Sequence, residues 1–338
     1  MRSSWSVGPH NYTSPMQPVT IIATVLNEVE DIARLVPSLL AQEPPAAEVV
    51  IVDGGSTDGT WEWLETLARE NPRLRAIRDE SCNLRRCAGP IARGRNVAIG
   101  AAGSEIIACA DAGCSYAPDW LARLTAPLMD GTAEYALGGS CMDLADPTVW
   151  DLASAHFFGV RLAIDAPTKS CTARSMAFRK ELWKRIGGFP ETAFFGEDTL
   201  FDQRARGLTR PAFVERAKAL YRPQYTLRTA CRQLAGYAAS DGVLGVRQAR
   251  LFRNGARCVL ELLALAALRW TVFPLLAVVA LECWFAFRHD MGFLLRSGPP
   301  AVGARLVFSI LVPWIVAVNQ IRGMLTGTMK ANRQNLQR

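Results

Sequence analysis

Residues 19–60 read VTIIATVLNEVEDIARLVPSLLAQEPPAAEVVIVDGGSTDGT, and the fold is decided here. Val19–Leu26 is a continuous apolar run of strand length, and Glu48–Val52 is a second. Uninterrupted Val/Ile-rich runs suit strands buried on both faces, as in a parallel sheet covered by helices. Between them Ile32, Leu35, Val36, Leu39 and Leu40 recur at three- and four-residue spacing, the period of an amphipathic helix. Further on, Trp61, Leu64, Leu67 and Ala68 repeat that period after Ser56-Thr57-Asp58, which reads as an N-cap cluster. Leu74–Ile77 and Glu105–Ala110 read as a third and a fourth strand. The alternation predicts a doubly wound α/β sheet over residues 18–140. Ligands of such sheets bind beyond the carboxyl ends of the strands. The polar residues just after each strand therefore carry most of the functional information.

The chain has 338 residues, half of them apolar and a fifth charged, which excludes disorder and a collagen-like repeat. Its formal charge of +7 is unevenly placed. Residues 1–250 hold 28 basic and 28 acidic side chains, and residues 251–338 hold 10 basic and 3 acidic. The excess lies in the most apolar part of the chain. That combination points to an anionic membrane surface as partner and away from nucleic acid. Nine cysteines with no C-x-x-C pair suggest reduced, mostly buried thiols rather than a disulfide framework or a zinc site. Residues 1–17 lack the apolar stretch of a secretory signal and read as a flexible leader.

Four places after predicted strands or at helix starts carry candidate chemistry. The first strand ends in Asn27-Glu28, and the second in Asp53-Gly54-Gly55-Ser56-Thr57-Asp58-Gly59-Thr60. Asp53 can accept hydrogen bonds from a ligand, and the glycines let a planar ring approach. The octapeptide equally suits a turn whose Asp and Ser only cap the next helix. It is not a P-loop, because Gly-Lys-Ser/Thr is missing. The fourth strand ends in Asp111-Ala112-Gly113, where Asp111 could face a metal-bound diphosphate or cap a loop. Glu197-Asp198, in FFGEDTLFDQRARG, would sit at a helix N-terminus, either as dipole partners or as a general base. Arg93, Arg95 and Asn96 lie in GPIARGRNVAIGAA, a helix leading to the fourth strand. Arginines there can clamp phosphate or simply face solvent. His10, His156 and His289 are too scattered to form a cluster and read as structural. Trp150, His156, Phe157 and Phe158 fall in the expected acceptor region and suit packing better than sugar stacking.

The ordered set VLNE, VDGGSTDGT, GPIARGRNVAIGAA and ADAGC with PDWLARL resembles the nucleotide-binding half of family 2 glycosyltransferases with the GT-A fold. SCTARSMAFRKELWKRIGGFPE and GEDTLFDQRARG resemble the acceptor half. RPQYTLRTACRQLAGYAASDG and IRGMLTG resemble the membrane-associated branch that builds bacterial exopolysaccharides on lipid carriers. The resemblance runs from Val19 to Gly327. It implies an α/β, GT-A, Rossmann-like nucleotide-diphospho-sugar transferase domain with C-terminal apolar membrane-associated helices. It also implies a division of that domain, residues 18–225, into a nucleotide-binding half, 18–140, and an acceptor half, 141–225.

By the same resemblance, Glu28 and Asp53 match positions that hold the nucleotide base, and Arg93, Arg95 and Asn96 fall in the donor-binding region. Asp111 matches the first Asp of the metal-binding D-x-D motif, implying Mg²⁺ or Mn²⁺. Asp198 matches the catalytic base, with Glu197 its neighbour. Gln233 and Tyr237 match the Gln and Trp of the Q-x-x-R-W motif near the acceptor and diphosphate. Two departures stand out. Gly113 replaces the second D-x-D carboxylate, and Gly236 stands where polymerising members carry Arg. The implied reaction is an inverting, non-processive transfer of one sugar from a nucleotide-diphosphate sugar, a UDP-sugar favoured, to a lipid-linked saccharide acceptor. A processive polysaccharide synthase and an inactive GT-A scaffold at the membrane are the alternatives.

The rest of the chain reads as a basic amphipathic helical segment, 226–257, then apolar membrane helices within 258–325, at about 259–287 and 304–322, and a basic tail, 326–338. Glu261, Arg269 and Glu282 interrupt the first apolar run, and neither run reaches the roughly 18 uninterrupted residues of a confident span. Both spanning and lying in the interface fit. Nucleotide sugars are cytosolic, so the expected location is a bacterial inner membrane with the catalytic domain facing the cytosol.

Overall fold

The computed structural model describes residues 17–143, 145–158, 172–192, 194–222, 225–287 and 291–336. The expected leader, except Gln17, lies outside them, as do His10 and His289. The elements are β1 (Val19–Val25), α1 (Val29–Leu40), β2 (Glu48–Asp53), α2 (Thr60–Glu70), β3 (Leu74–Arg78), α3 (Pro90–Ala101), β4 (Ile106–Cys109) and β5 (Cys114–Tyr116). They continue with α4 (Trp120–Met129), β6 (Tyr135–Met142), α5 (Val149–Phe158), β7 (Met176–Arg179), α6 (Lys180–Arg185), α7 (Glu197–Arg206) and β8 (Ala212–Tyr221). Five helices close the chain: α8 (Leu227–Leu244), α9 (Gln248–Ala267), α10 (Phe273–Phe287), α11 (Met291–Arg296) and α12 (Pro299–Leu336).

One eight-stranded sheet runs β3-β2-β1-β4-β7-β6-β8-β5. Its first four strands are all parallel, as the continuous apolar runs predict. Alternate residues of β1 supply opposite faces. Ile21 joins Ile32 and Leu35 of α1 and Trp120 of α4, whereas Ile22 joins Ala98 and Ile99 of α3 and Phe201 of α7. Beyond β4 the sheet turns mixed. β7 is antiparallel to both β4 and β6, β8 is parallel to β6, and β5 pairs antiparallel with β8 at the far edge. β5 is three residues with no apolar run, too short to leave a periodic signal. α2 starts differently from expectation. Its N-cap is Gly59 with φ 98°, and no side chain caps it. Asp58 instead bridges two elements, accepting from Thr60 N at 3.0 Å and Val29 N at 3.2 Å.

The helical segment 226–257 is divided between two helices, α8 and the first half of α9. α8 is started by a reciprocal Thr226–Thr229 capping box and stopped by Gly245, whose φ of 66° terminates a helix without Cβ strain. The run 259–287 is broken between Leu268 and Val272. Pro274 lacks an N–H, and it sits in the first turn of the new helix, where none is needed. The run 304–322 lies inside α12, which has 38 residues. Among the described residues one helix, over Pro299–Gly327, is long and apolar enough to cross a membrane, and half of its most apolar window is buried inside the protein.

That burial has a specific origin. Phe308, Val312 and Val316 of α12 pack with Tyr225, Leu234 and Ala238 at and within α8, and Trp150 of α5 meets Phe308 edge-on at 5.5 Å. Further along, α8 and α12 approach backbone to backbone. A Cβ built on Gly323 would overlap the carbonyl oxygen of Ala239, and one on Gly242 would overlap that of Gln320. Polar groups of the apolar helices face one another. Arg257 pairs with Glu282 (Nε–Oε1 2.9 Å) and donates to Ser309 O at 2.8 Å. Arg305 donates to His156 Nδ1 at 3.0 Å and Ser309 Oγ at 2.7 Å. His156 is thereby structural, as expected. Phe252, Trp270, Phe273 and Trp284 of the α9–α10 region are exposed.

Replacing Gly323 by Val should force α8 and α12 apart and cost about 1–3 kcal/mol, the usual range for overpacking. Thermal unfolding of the detergent-solubilised protein measures this, and an unchanged melting temperature would contradict the close approach.

Candidate functional site

The ends of β1, β2, β4 and β8, the N-terminus of α7 and one face of α8 enclose a cleft of about 460 Å³. Glu28, Asp111, Arg174, Asp198, Gln233 and Tyr237 are among the residues that line it. Six elements thus meet at the carboxyl ends of the parallel strands, where the fold leaves backbone groups unpaired and available to a ligand.

The centre of the cleft wall is Arg95. Its side chain is 3% exposed, and it pairs with Asp111 (Nη2–Oδ1 2.6 Å) and with Glu197. α3 brings the guanidinium between the end of β4 and the start of α7. Arg95 was expected at a phosphate. It is instead enclosed by two carboxylates, because a buried guanidinium needs ionic partners. Burial pushes the Glu197 carboxyl upward, while Arg95 opposes the shift and Asp198 adds to it. Asp198 sits on the first turn of α7 after Gly196, a left-handed residue with φ 88°. Its carboxylate accepts from Thr199 N at 2.6 Å and from Ala173 N at 3.3 Å, and it borders the open cleft.

Glu28 also faces the cleft. Burial raises its carboxyl to about 7, and a hydrogen bond with Asp31 and the charges of Asp31, Asp58 and Asp111 add to the rise. Asp53 is fully buried and does not line the cleft. Its carboxylate accepts from Gly55 N and Ser56 N at 3.0 Å each, and from the Ser56 hydroxyl. The Asp shapes the glycine loop, and the loop's backbone, through Gly54, meets the cleft. Arg93 and Asn96 also lie off the cleft lining. Arg93 donates to Ser81 Oγ at 2.8 Å and reaches Glu191 at 3.4 Å. Asn96 donates to Phe189 O and Glu191 Oε1 and accepts from Trp183 and Phe189. Both brace the loop that leads into α7.

Gln233 and Tyr237 lie one turn apart on α8 and close a chain of hydroxyl contacts. Tyr221 meets Tyr225 at 3.1 Å, Tyr225 donates to Gln233 Oε1, and Gln233 Nε2 donates to the Tyr237 hydroxyl at 2.9 Å. Asp31, Arg174, Tyr221 and Arg222 are among the cleft residues that escaped the sequence reading. Tyr221 ends β8, so the rule of searching strand ends would have found it. Arg174 and Asp31 carry no such mark.

For a divalent cation, Asp111 presents one oxygen to Arg95 and the other toward the cleft, with Arg174 Nε 3.9 Å away. The Cβ missing at Gly113 would lie 3.8 Å from Asp31 Oδ2. Among the described residues no group of three or more His, Cys, Asp or Glu converges on a metal position. This donor set fits a hard cation held by one or two carboxylates and otherwise by phosphate oxygens and water.

Two substitutions probe the electrostatics. Arg95→Met leaves the buried Glu197 without its counter-charge and the half-buried Asp111 with only Arg174 at 3.9 Å, and should cost about 3–5 kcal/mol in stability near pH 8. The deficit should shrink in acid, where the carboxyls take up protons. Glu28 has a folded-state value of about 7, above the unfolded 4.5. Its contribution to stability is therefore present below pH 4.5 and is lost as the pH rises through 7. Glu28→Gln should raise the melting temperature at pH 8 and leave it nearly unchanged at pH 4.5. Equal melting temperatures at pH 8 would contradict the shift.

Residues 20–187 match the family model described as glycosyl transferase family 2. The chain is 29% identical over 231 residues to the succinoglycan biosynthesis protein ExoA of Rhizobium meliloti (strain 1021), a match covering 64% of this chain and 67% of that protein. It is 27% identical over 198 residues to the glycosyltransferase AglE of Haloferax volcanii, covering 57% of this chain and 62% of AglE. The chain thus spans about two thirds of the length of these relatives. Among solved structures, the mannosyltransferase PcManGT of Pyrobaculum calidifontis, in complex with GDP-Man and Mn²⁺, aligns over 97% of this chain and 90% of its own. Its TM-score is 0.51 at 19% identity, a likeness of fold. The parallel strands, the cleft at their carboxyl ends and the family match converge, and the chain belongs to glycosyltransferase family 2, with a GT-A-type α/β fold.

Proposed function

We propose that the chain moves one sugar, with inversion, from a nucleotide-diphosphate sugar to a hydroxyl of a lipid-linked saccharide acceptor in exopolysaccharide or cell-envelope glycan synthesis. A UDP-sugar is the favoured donor. The observation that carries the reading is the position of Asp198, at a helix N-terminus bordering the cleft, with Glu197 beside it held by Arg95. A carboxylate on a rigid element can take the proton of an attacking hydroxyl. In an in-line displacement no enzyme nucleophile is needed, and inversion follows from attack opposite the leaving diphosphate. Glu197 and Arg95 are positioning residues, since each acts through a neighbour. Glu28 and the backbone of the Asp53 loop are the groups suited to the nucleoside end. Asp111 is the residue to hold Mg²⁺ or Mn²⁺, which when bound supplies charge neutralisation to the leaving diphosphate.

Gly236 and Tyr237, where polymerising relatives carry Arg and Trp, favour a single transfer over processive synthesis. The relatives' role in succinoglycan biosynthesis supports an exopolysaccharide-type product. The domain plan follows: residues 18–225 form the catalytic domain, 226–257 link it to the apolar helices, and 258–325 hold it at the cytosolic face of a bacterial inner membrane. Exposed apolar side chains on α9 and α10, beside the basic excess of the tail, support that attachment.

Asp198→Asn should lower turnover by about 10²–10⁴-fold, the span typical of a general base. Nucleotide binding should stay near that of the parent. Near-normal turnover in this variant would remove Asp198 as the base. Thermal stabilisation by a panel of nucleotide sugars would identify the donor, and no response to any would count against the donor class.

A further inference from the structure

A cleft that receives a diphosphate needs a cationic side chain free to meet it, and most arginines near this one are engaged elsewhere. Arg95 is 3% exposed and enclosed by Asp111 and Glu197. Arg93 braces Ser81 and Glu191 and does not line the cleft. Arg222 also lines the cleft, with its guanidinium 3.9 Å from the exposed Asp146 rather than beside Asp111. Gly236 offers nothing and leaves no room: a Cβ there would lie 2.6 Å from the ring of Phe195. Phe195 itself packs edge-on against Tyr237 at 4.6 Å.

Arg174 is differently placed. Its guanidinium lies over the ring of Tyr221 at 4.3 Å and shares the cleft wall with Tyr237. Its Nε is 3.9 Å from Asp111 Oδ2, too far for a hydrogen bond. The backbone beneath it is fixed by Tyr116, whose hydroxyl donates to Arg174 O at 2.8 Å and accepts from Asp111 N at 3.0 Å. One tyrosine therefore joins the two backbone positions from which the carboxylate and the guanidinium extend. Stacking on Tyr221 orients the planar fork without using all its donors.

We propose that Arg174 is the diphosphate-binding arginine of this enzyme, supplying from the loop before β7 the guanidinium that Gly236 cannot supply from α8. The proposal rests on the donor reading above. Hydrogen bonds to a charged group typically contribute enough to change affinity by about 10- to 100-fold. The test is calorimetric titration of the full-length, detergent-purified protein with UDP and GDP, and competition by uridine and guanosine, each with Mg²⁺ and with EDTA. Arg174→Gln, which keeps much of the packing over Tyr221, should weaken diphosphate binding by about 10- to 100-fold and leave nucleoside binding unchanged. Arg174→Lys should recover part of the loss. Unchanged diphosphate binding in Arg174→Gln would overturn the assignment. So would an equal loss for nucleoside and diphosphate, which marks a structural role. If the parent protein binds neither diphosphate under either condition, the donor reading itself fails and this assignment with it.

Discussion

The buried bridge from Asp111 through Arg95 to Glu197 is the constraint on which the active cleft depends. Asp111 ends a strand of the parallel half of the sheet, and Glu197 begins a helix from the other half, 86 positions along. Two carboxylates this close to an apolar core repel each other, and burial makes their charge costly. A single guanidinium at 3% exposure lets both remain. It also fixes the first turn of α7, and with it the neighbouring Asp198. The position of Asp198 is therefore a by-product of solving a charge-burial problem. The loop Gly187–Glu191, braced by Asn96 and Arg93, holds the same helix from outside.

The centre of the parallel half was legible because β1, β2 and β4 are buried on both faces and so are apolar at nearly every position. β1, β2 and β4 stand where the runs of Val, Ile and Ala announce them. The positions of Asp111 and Glu197-Asp198 at the cleft were legible for a related reason: the carboxyl ends of buried strands and the starts of helices are where such sheets face a ligand. The partners of Arg95, Asn96 and Asp53 were not. A side chain on a helix or loop carries no local mark of whether it turns to a ligand or to a partner far along the chain. Arg95 meets Glu197 across 102 positions, and Asn96 meets Phe189 across 93. Asp53 went the other way, binding its own loop. β5 and Arg174 lie in stretches with no period to read.

The apolar C-terminal helices show the limit of hydropathy as a guide. The charges within them are matched in space rather than isolated: Arg257 with Glu282, and Arg305 with His156 on α5. α12 is apolar in part because it is a core helix of the catalytic body, with Phe308 and Val316 packed beside α8. The surface that remains uncovered belongs chiefly to α9 and α10.

α8 touches both worlds. Gln233 borders the cleft and Gly242 abuts α12, separated by about 14 Å of rigid helix. With the two backbones in direct contact through Gly242 and Gly323, that separation cannot stretch. A displacement of α12 would therefore be carried along α8 to the edge of the cleft, so the packing of the apolar helices and the shape of the cleft form one mechanical unit.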